Sequence, residues 1–385
     1  MSEPIIKVKY GALFILHALG DTIGFKNADW EFNYNKETDL SSILEFVYEF
    51  IELGGVNGID LSGWLVSDDT LYHMAISNGI LGFNGMIDDD FILLIKNMLI
   101  TIHNRLIDEE KKDRIIRYPG KATEKYIEKF TEKTDGRTYP YDPMTGGNGA
   151  AMRTLSIGLA FCDKDSLENL IDISIISSKL THNSPSGFLA GFTSAYFVSL
   201  AISNVSIEKW PIMLLELLES DMIKKHIDYT KNEIVMDYMM YIRHWKKYVD
   251  TRFPDGKPLK TKVFRNLVFR IRYYYENFVR DTKADFVGGS GFCAMIMAYD
   301  SLLDCDGKWE KLIFYAILHP GDSDTIGAIA GGLYGAMYGL GDVPASMLEH
   351  LEGKIKLQQL GTKFYDKFVL RKEVTQDLKL LNRSK

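Results

Sequence analysis

Cysteine is scarce in this 385-residue chain. Cys162, Cys293 and Cys305 are too few and too irregularly spaced for a disulfide framework or a zinc site. That scarcity suits a reducing compartment, and a cytoplasmic location is expected. No histidine pair stands at metal-ligand spacing either. Proline is sparse, and no Pro/Ser-rich linker or low-complexity break interrupts the apolar pattern, so one domain is expected over residues 1–385. Excess positive charge is also missing. With 45 Lys and Arg against 52 Asp and Glu, the net charge of −7 argues against a protein that chiefly neutralises nucleic-acid phosphates. The apolar run Gly11–Leu19 follows Lys7 and Lys9, but His17 interrupts it and Gly20-Asp21 ends it without a small-residue cleavage pattern. No other run is read as long enough to span a bilayer, so neither a leader nor a membrane partner is expected. No internal repeat of fixed period is found.

What the chain does contain is a globular balance of 46% hydrophobic and 25% charged residues. Apolar positions recur at helical rather than alternating spacing over Leu40–Leu53, Ser166–Leu180, Trp210–Leu218 and Lys308–Leu318, which predicts an all-α fold. Small residues crowd several helices, at Gly149–Ala151, Gly187–Gly191 and Gly327–Gly339. An interior glycine costs a helix about 0.5–1 kcal/mol relative to alanine, so close packing or ligand access must compensate. Two segments, 108–137 and 248–262, are charged or rich in Pro and Gly, and are expected to be surface insertions.

Two acidic clusters carry the chemical signal. Ser67-Asp68-Asp69-Thr70 precedes a helical pattern starting at Leu71, and Gly321-Asp322-Ser323-Asp324-Thr325 precedes a Gly/Ala-rich helix beginning near Ile326. Both fit helix N-termini, where one Ser or Asp satisfies free N–H groups and negative charge gains about 0.3–1 kcal/mol. One cap needs one acceptor, however, whereas each cluster offers two carboxylates and flanking hydroxyls, a donor set suited to hard divalent cations. Capping and metal binding both remain open on this ground. Glu31, in Asp29-Trp30-Glu31-Phe32, is either an exposed acid beside aromatics or a carboxylate poised as ligand or general base.

Between the clusters, Met144-Thr145-Gly146-Gly147-Asn148-Gly149-Ala150-Ala151-Met152-Arg153 is expected to open a helix with accessible backbone N–H groups, able to cradle phosphates. It is neither a Walker A loop nor a dinucleotide fingerprint. His182, in Thr181-His182-Asn183-Ser184-Pro185-Ser186-Gly187, stands between two helices. It is open to a structural role or to a bond with a sugar or phosphate.

In this order, Gly20-Asp21 with Trp30-Glu31-Phe32, Trp64–Thr70, Gly146–Arg153, His182–Gly187, Gly288–Asp300 and Gly321–Gly339 resemble the ADP-ribosylglycohydrolase family, most closely its ADP-ribosylarginine hydrolase branch. The resemblance covers nearly the whole chain. It implies a compact single-domain orthogonal helical bundle with two Mg²⁺ ions ligated by Ser67, Asp68, Asp69, Asp322, Asp324 and Thr325. It further implies that Gly147, Asn148, Gly149, Ala150, Met152 and His182 line an ADP-ribose site, with Glu31 as the mobile acid near the metals. Expected partners are ADP-ribose and ADP-ribosylated proteins, with the chain acting as a monomer.

The implied reaction is Mg²⁺-dependent hydrolysis of the N-glycosidic bond of ADP-ribosylarginine, with Glu31 or Asp69 as base. One departure bears on the linkage. Arginine-specific relatives usually place His-Asp where this chain has Phe292-Cys293, and the acid is missing here. Serine-linked ADP-ribose and O-acetyl-ADP-ribose are therefore alternative substrates, and a noncatalytic ADP-ribose-binding or structural member is the alternative of another class.

Overall fold

The computed structural model describes residues 3–31, 40–131, 133–280, 282 and 286–370. Phe32, part of the aromatic motif around Glu31, lies outside them. The principal helices are α1 (Glu3–Phe25), α2 (Leu40–Glu52), α3 (Asp68–Ile80), α4 (Asp89–Asp113), α5 (Leu167–Lys179), α6 (Pro185–Ile202), α7 (Trp210–Leu218), α8 (Asn232–Arg252), α9 (Leu267–Phe278), α10 (Gly291–Asp304), α11 (Trp309–Ala316), α12 (Ser323–Tyr338) and α13 (Lys354–Tyr365). Among the described residues the only extended pairing is a lone antiparallel bridge between Gly147 and Ser290, so the all-α expectation holds. One hydrophobic cluster runs from Tyr10 to Phe368.

Two helices distant in sequence set the frame. Along α1 and α12 small residues let the backbones touch: Gly20 lies against Gly327, Gly24 against Ser323, and Gly331 against Leu16. The two helices run antiparallel, so the N-terminal end of α12 meets the C-terminal end of α1 and Asp324 comes near Asp21. A Cβ added at Gly331 would overlap the Leu16 carbonyl oxygen, a backbone atom that cannot swing away. Gly331→Ala is expected to destabilise the protein by about 1–3 kcal/mol, read as a lower urea midpoint. A Cβ at Gly11, also on α1, meets nothing within 4 Å. Gly11→Ala should therefore move the midpoint the opposite way, by roughly 0.5–1 kcal/mol of helix propensity. Equal effects at the two sites would refute the packing argument.

Helix α6 corrects one expectation from sequence. Its 18 residues have a mean hydropathy of 1.3, long and apolar enough to cross a membrane. All are buried in the protein, which makes α6 a central core helix; its glycines and alanines break the run of large apolar residues that a sequence scan looks for.

The two segments read as surface insertions are anchored more firmly than their composition suggests. In 248–262, Tyr248, Arg252 and Phe253 are buried, while Asp250, Thr251 and most of residues 254–261 are exposed. In 108–137, Arg117, Thr123, Tyr126 and Ile127 are buried. Burial of Arg252 is made possible by Asp300 and Asp304 on α10, whose carboxylates lie 2.7 Å from its guanidinium nitrogens. Local sequence cannot show such a distant counter-charge.

Candidate metal centre

Helix α3 begins at Asp68 because the preceding backbone is held at every N–H. Val66 N–H donates to Glu352 at 2.9 Å, Ser67 N–H to Asp21 at 3.1 Å, Asp68 N–H to the Arg117 carbonyl at 3.1 Å, and Asp69 N–H to Ser67 Oγ at 3.1 Å. Thr70 donates to Asp21 through both its N–H and its hydroxyl. Ser67 is thus the N-cap, so the capping reading of the first cluster is correct as far as it goes. It accounts for Ser67 and leaves Asp68 and Asp69, both buried, for other work.

At α12 the capping reading does not hold, because Asp322 stands at the N-cap and its side chain makes no capping bond. Asp324 accepts from Thr325 N–H at 2.8 Å, and Asp322 accepts from the Asn148 side-chain amide at 2.7 Å. The same amide nitrogen donates to the Gly288 carbonyl at 2.8 Å. Asn148, expected to line the ADP-ribose site, orients a carboxylate of the second cluster. Thr325 lies close to Asp69, so the two helix N-termini meet at the acid cluster.

Six carboxyl groups gather here. Burial and then the charges of Asp324, Asp322, Asp68 and Asp21 push Glu31 up to about 12. Burial and neighbouring acids likewise raise Asp68, Asp69 and Asp324 well above the ordinary carboxylate range. Burial lifts Asp21 to about 6, opposed by its bonds from Thr70 and Ser67. Glu31 Oε2 and Asp69 Oδ2 are buried with no hydrogen-bond partner. Among the described residues, no group of three or more His, Cys, Asp or Glu side chains is spaced to hold a metal ion. The donor set nevertheless fits Mg²⁺: all oxygen, carboxylates with hydroxyls, two unpartnered oxygens, and repulsion that a cation would relieve.

The electrostatics give a pH prediction. Glu31 has a folded value above its unfolded one of 4.5, so its contribution is fully present below about pH 4.5 and is lost progressively as pH rises toward 12. Glu31→Gln removes that loss. With a chelator present, the melting temperature of the variant should exceed that of the parent by a margin that widens from pH 5 to pH 8, with a limiting slope of about 1.4 kcal/mol per pH unit. A constant margin would contradict this burial of Glu31.

Sequence reasoning placed Asp21 in a motif without giving it a role. A signal was present: Asp-Thr-Ile-Gly occurs at Asp21–Gly24 and again at Asp324–Gly327. The two copies lie on the helices that cross, with Gly20 and Gly24 of one against Gly327 and Ser323 of the other. Asp21 fastens α3, whereas Asp324 faces the acid cluster.

The glycine-rich stretch does not open an α-helix directly. Gly147–Ala150 form turns, Ala151–Arg153 a single 3₁₀ turn, and the α-helical segment Leu155–Ala160 follows. Ala150 and Met152 are buried, Ala150 against Gly191, and the Met152 carbonyl is bonded to His17 at 2.7 Å. Their side chains therefore shape the turn from beneath. Gly147 and Gly149 lie over the His182 ring, and a Cβ at Gly149 would approach its Cε1 to 2.8 Å.

Arg153, wholly buried, ties this turn to the end of α5. It donates to the Gly149 carbonyl at 3.1 Å, the Ser177 carbonyl at 3.3 Å and Thr181 Oγ1 at 2.7 Å. Having accepted from Arg153, the Thr181 hydroxyl finds an acceptor for its own proton in His182 Nδ1, 2.8 Å away. That assignment leaves the proton of the neutral ring on Nε2, toward Gly147 and Gly149. Burial, then the Arg153 charge, lowers His182 to about 3, so the ring is neutral at physiological pH.

Phe292 and Cys293 place no reactive group in the centre. Phe292 is buried and stacks on His244 with centroids 4.0 Å apart. Cys293 Sγ accepts from Gly288 N–H at 3.3 Å and touches Met297, and burial pushes the thiol up to about 12. A cleft of about 560 Å³ starts at Asn183, one residue beyond His182, and is walled by Tyr139, Tyr141, Lys179, Phe188 and His226. The metal-site carboxylates do not line it.

Comparisons with known proteins agree in one direction. The family model described as ADP-ribosylglycohydrolase matches residues 4–374. A protein of Acanthamoeba polyphaga mimivirus, provisionally named an ADP-ribosyl glycohydrolase, is 35% identical over 336 residues, covering 85% of this chain and 63% of its own length. The chain thus spans less than two thirds of that relative. The Dictyostelium discoideum protein named ADP-ribosylhydrolase ARH1 is 30% identical over 373 residues, 90% of this chain and 91% of the relative. The Danio rerio protein named ADP-ribosylhydrolase ARH3 is 27% identical and covers 58% of each chain. A solved structure titled ADP-ribosylglycohydrolase-related protein complex shares the fold, with a TM-score of 0.54, 16% identity, and coverage of 94% of this chain and 99% of that one.

Proposed function

The chain belongs to the ADP-ribosylglycohydrolase family, and from that premise we propose that it is a Mg²⁺-dependent hydrolase that removes ADP-ribose from modified protein side chains, cleaving the N-glycosidic bond of ADP-ribosylarginine. The observation that carries the reading is the meeting of two helix N-termini whose buried carboxylates, with Glu31, repel one another and leave Glu31 Oε2 and Asp69 Oδ2 unbonded. Such an arrangement is costly without a cation.

Ser67, Asp68, Asp69, Asp322, Asp324 and Thr325 would hold two Mg²⁺ ions, which supply Lewis-acid charge to ribose oxygens and to an attacking water. The chain's own residues perform the remaining tasks. Glu31 Oε2 and Asp69 Oδ2, unbonded in the structure, would be the atoms to take a proton from that water once bound cations had returned their carboxyls to the ionised form. The turn Gly147–Ala150 presents backbone at close range, with a ring N–H of His182 below it, a setting for diphosphate oxygens. Asn148 keeps Asp322 aimed while the substrate arrives. Tyr139 and Tyr141 in the cleft beyond Asn183 offer aromatic side chains to a base.

The arginine linkage is favoured by the resemblance to that branch, and the ARH1 relative matches over more of the chain than the ARH3 relative does. Phe292 and Cys293, which replace the usual His-Asp with an apolar buried pair, favour serine-linked ADP-ribose or O-acetyl-ADP-ribose as the second reading. A monomer working in the reducing cytoplasm suits three cysteines that form no disulfide.

The deciding experiment follows release of ADP-ribose from arginine-modified and serine-modified proteins, with Mg²⁺ and after exhaustive chelation. The reading expects faster release from arginine, lost on chelation and regained with Mg²⁺. Full activity in chelator would overturn the metal's role, and preference for serine would reassign the linkage. Binding of ADP-ribose with every linkage left intact would mark a noncatalytic member.

A further inference from the structure

The segment that delivers Ser67, Asp68 and Asp69 is gripped from outside the acid cluster by one ion pair. Arg117 and Glu352, 235 positions apart, form a bidentate pair with both nitrogen–oxygen distances at 2.9 Å. Each partner also bonds the same residue of the segment: Glu352 Oε2 accepts Val66 N–H at 2.9 Å, and Arg117 donates to the Val66 carbonyl at 2.6 Å. The Arg117 backbone carbonyl accepts Asp68 N–H. Arg117 is in turn held by Glu109 of α4 at 2.7 Å, and its guanidinium is buried.

We propose that Arg117 and Glu352 are positioning residues that set the aim of Ser67, Asp68 and Asp69 toward a divalent cation, without touching that cation themselves. The inference rests on the metal-dependent reading above. Its physical basis is that both polar groups of Val66 and the N–H of Asp68 are fixed by this pair, while Asp21 fixes the N–H groups of Ser67 and Thr70. A backbone held at consecutive donors can swing its side chains little. Releasing one side lets the first helical turn rotate, and misaimed ligands weaken a hard cation with strict octahedral demands.

The test is Mn²⁺ binding, followed by the electron paramagnetic resonance of the free ion, alongside thermal melting of the full chain. Glu352→Gln keeps an amide oxygen for Val66 N–H but loses the charged fork. It is expected to weaken Mn²⁺ binding by about 10–100-fold, the scale for groups that orient metal ligands, while the protein still melts cooperatively. The double variant Arg117→Glu/Glu352→Arg restores opposite charges but sets a donor against Val66 N–H and an acceptor against its carbonyl. Affinity should stay low in it. Recovery of affinity in the double variant, or parental affinity in Glu352→Gln, would overturn the positioning role and leave only a structural ion pair. Failure of the parent protein to bind Mn²⁺ would instead refute the metal reading, so the two failures are distinguishable.

Discussion

Asp68→Asn and Asp324→Asn are each expected to lower release of ADP-ribose by about 10²–10³-fold at saturating Mg²⁺, the range for loss of one group from a preorganised electrostatic centre. The same substitutions should raise the melting temperature of the protein in chelator. Both signs follow from one arrangement. Each carboxylate is buried and raised well above the ordinary range, first by burial and then by acidic neighbours, so its ionised form opposes folding when no cation is present. Asparagine keeps the size and a hydrogen-bonding oxygen but removes the charge. Activity assays paired with melting curves, with and without Mg²⁺, test the pairing directly. An Asn variant that loses activity and also melts lower in chelator would show that the residue serves mainly as a structural acceptor.

Asp300→Asn is expected to cost about 3–5 kcal/mol, enough to populate unfolded protein near physiological temperature, because it breaks a buried ion pair from one side. Asp300 accepts from Arg252 at 2.7 Å, Arg270 at 2.6 Å, and the hydroxyls of Tyr248 and Tyr274 at 2.5 Å each. Asp304 adds a second carboxylate to both arginines, at 2.7 and 3.0 Å. Two buried guanidinium groups are thus balanced by two carboxylates joining α8, α9 and α10. Removal of one negative charge leaves an arginine uncompensated in the interior, and the hydrogen bonds that Tyr248 and Tyr274 donate to residue 300 are weakened as well. The arginines hold Asp300 below its usual range against the opposing effect of burial. Urea unfolding should show a large drop in midpoint. Loss of metal affinity without loss of stability would place Asp300 in the active centre, contrary to this account.

Much of the secondary structure was legible in the chain. Trp210–Leu218 forms the helix that its periodicity indicates, Leu40–Leu53 becomes Leu40–Glu52, and Ser166–Leu180 becomes Leu167–Lys179. These segments obey local rules, since an apolar stripe at helical spacing must be buried on one face. The glycine-rich stretch was less legible. Its small residues indicated close approach, but its helical start was displaced because the Asn148 side chain turns toward Gly288 and Asp322 and Arg153 draws the Gly149 carbonyl inward. The bland expectation for Glu31, an exposed acid, gives way to a buried one because the acids facing it come from elsewhere in the chain.

By itself the sequence determined the helical class, the two acidic helix starts and the family resemblance, because each rests on residue types at short, regular spacing. Only the tertiary structure decided that Asp21 anchors α3, that Asn148 serves Asp322, and that Arg117 with Glu352 holds the backbone before Asp68. The physical reason is distance along the chain. Capping, periodicity and composition act within a few residues. The carboxylates converge only because glycines on α1 and α12 let two backbones, some 300 positions apart, come into contact.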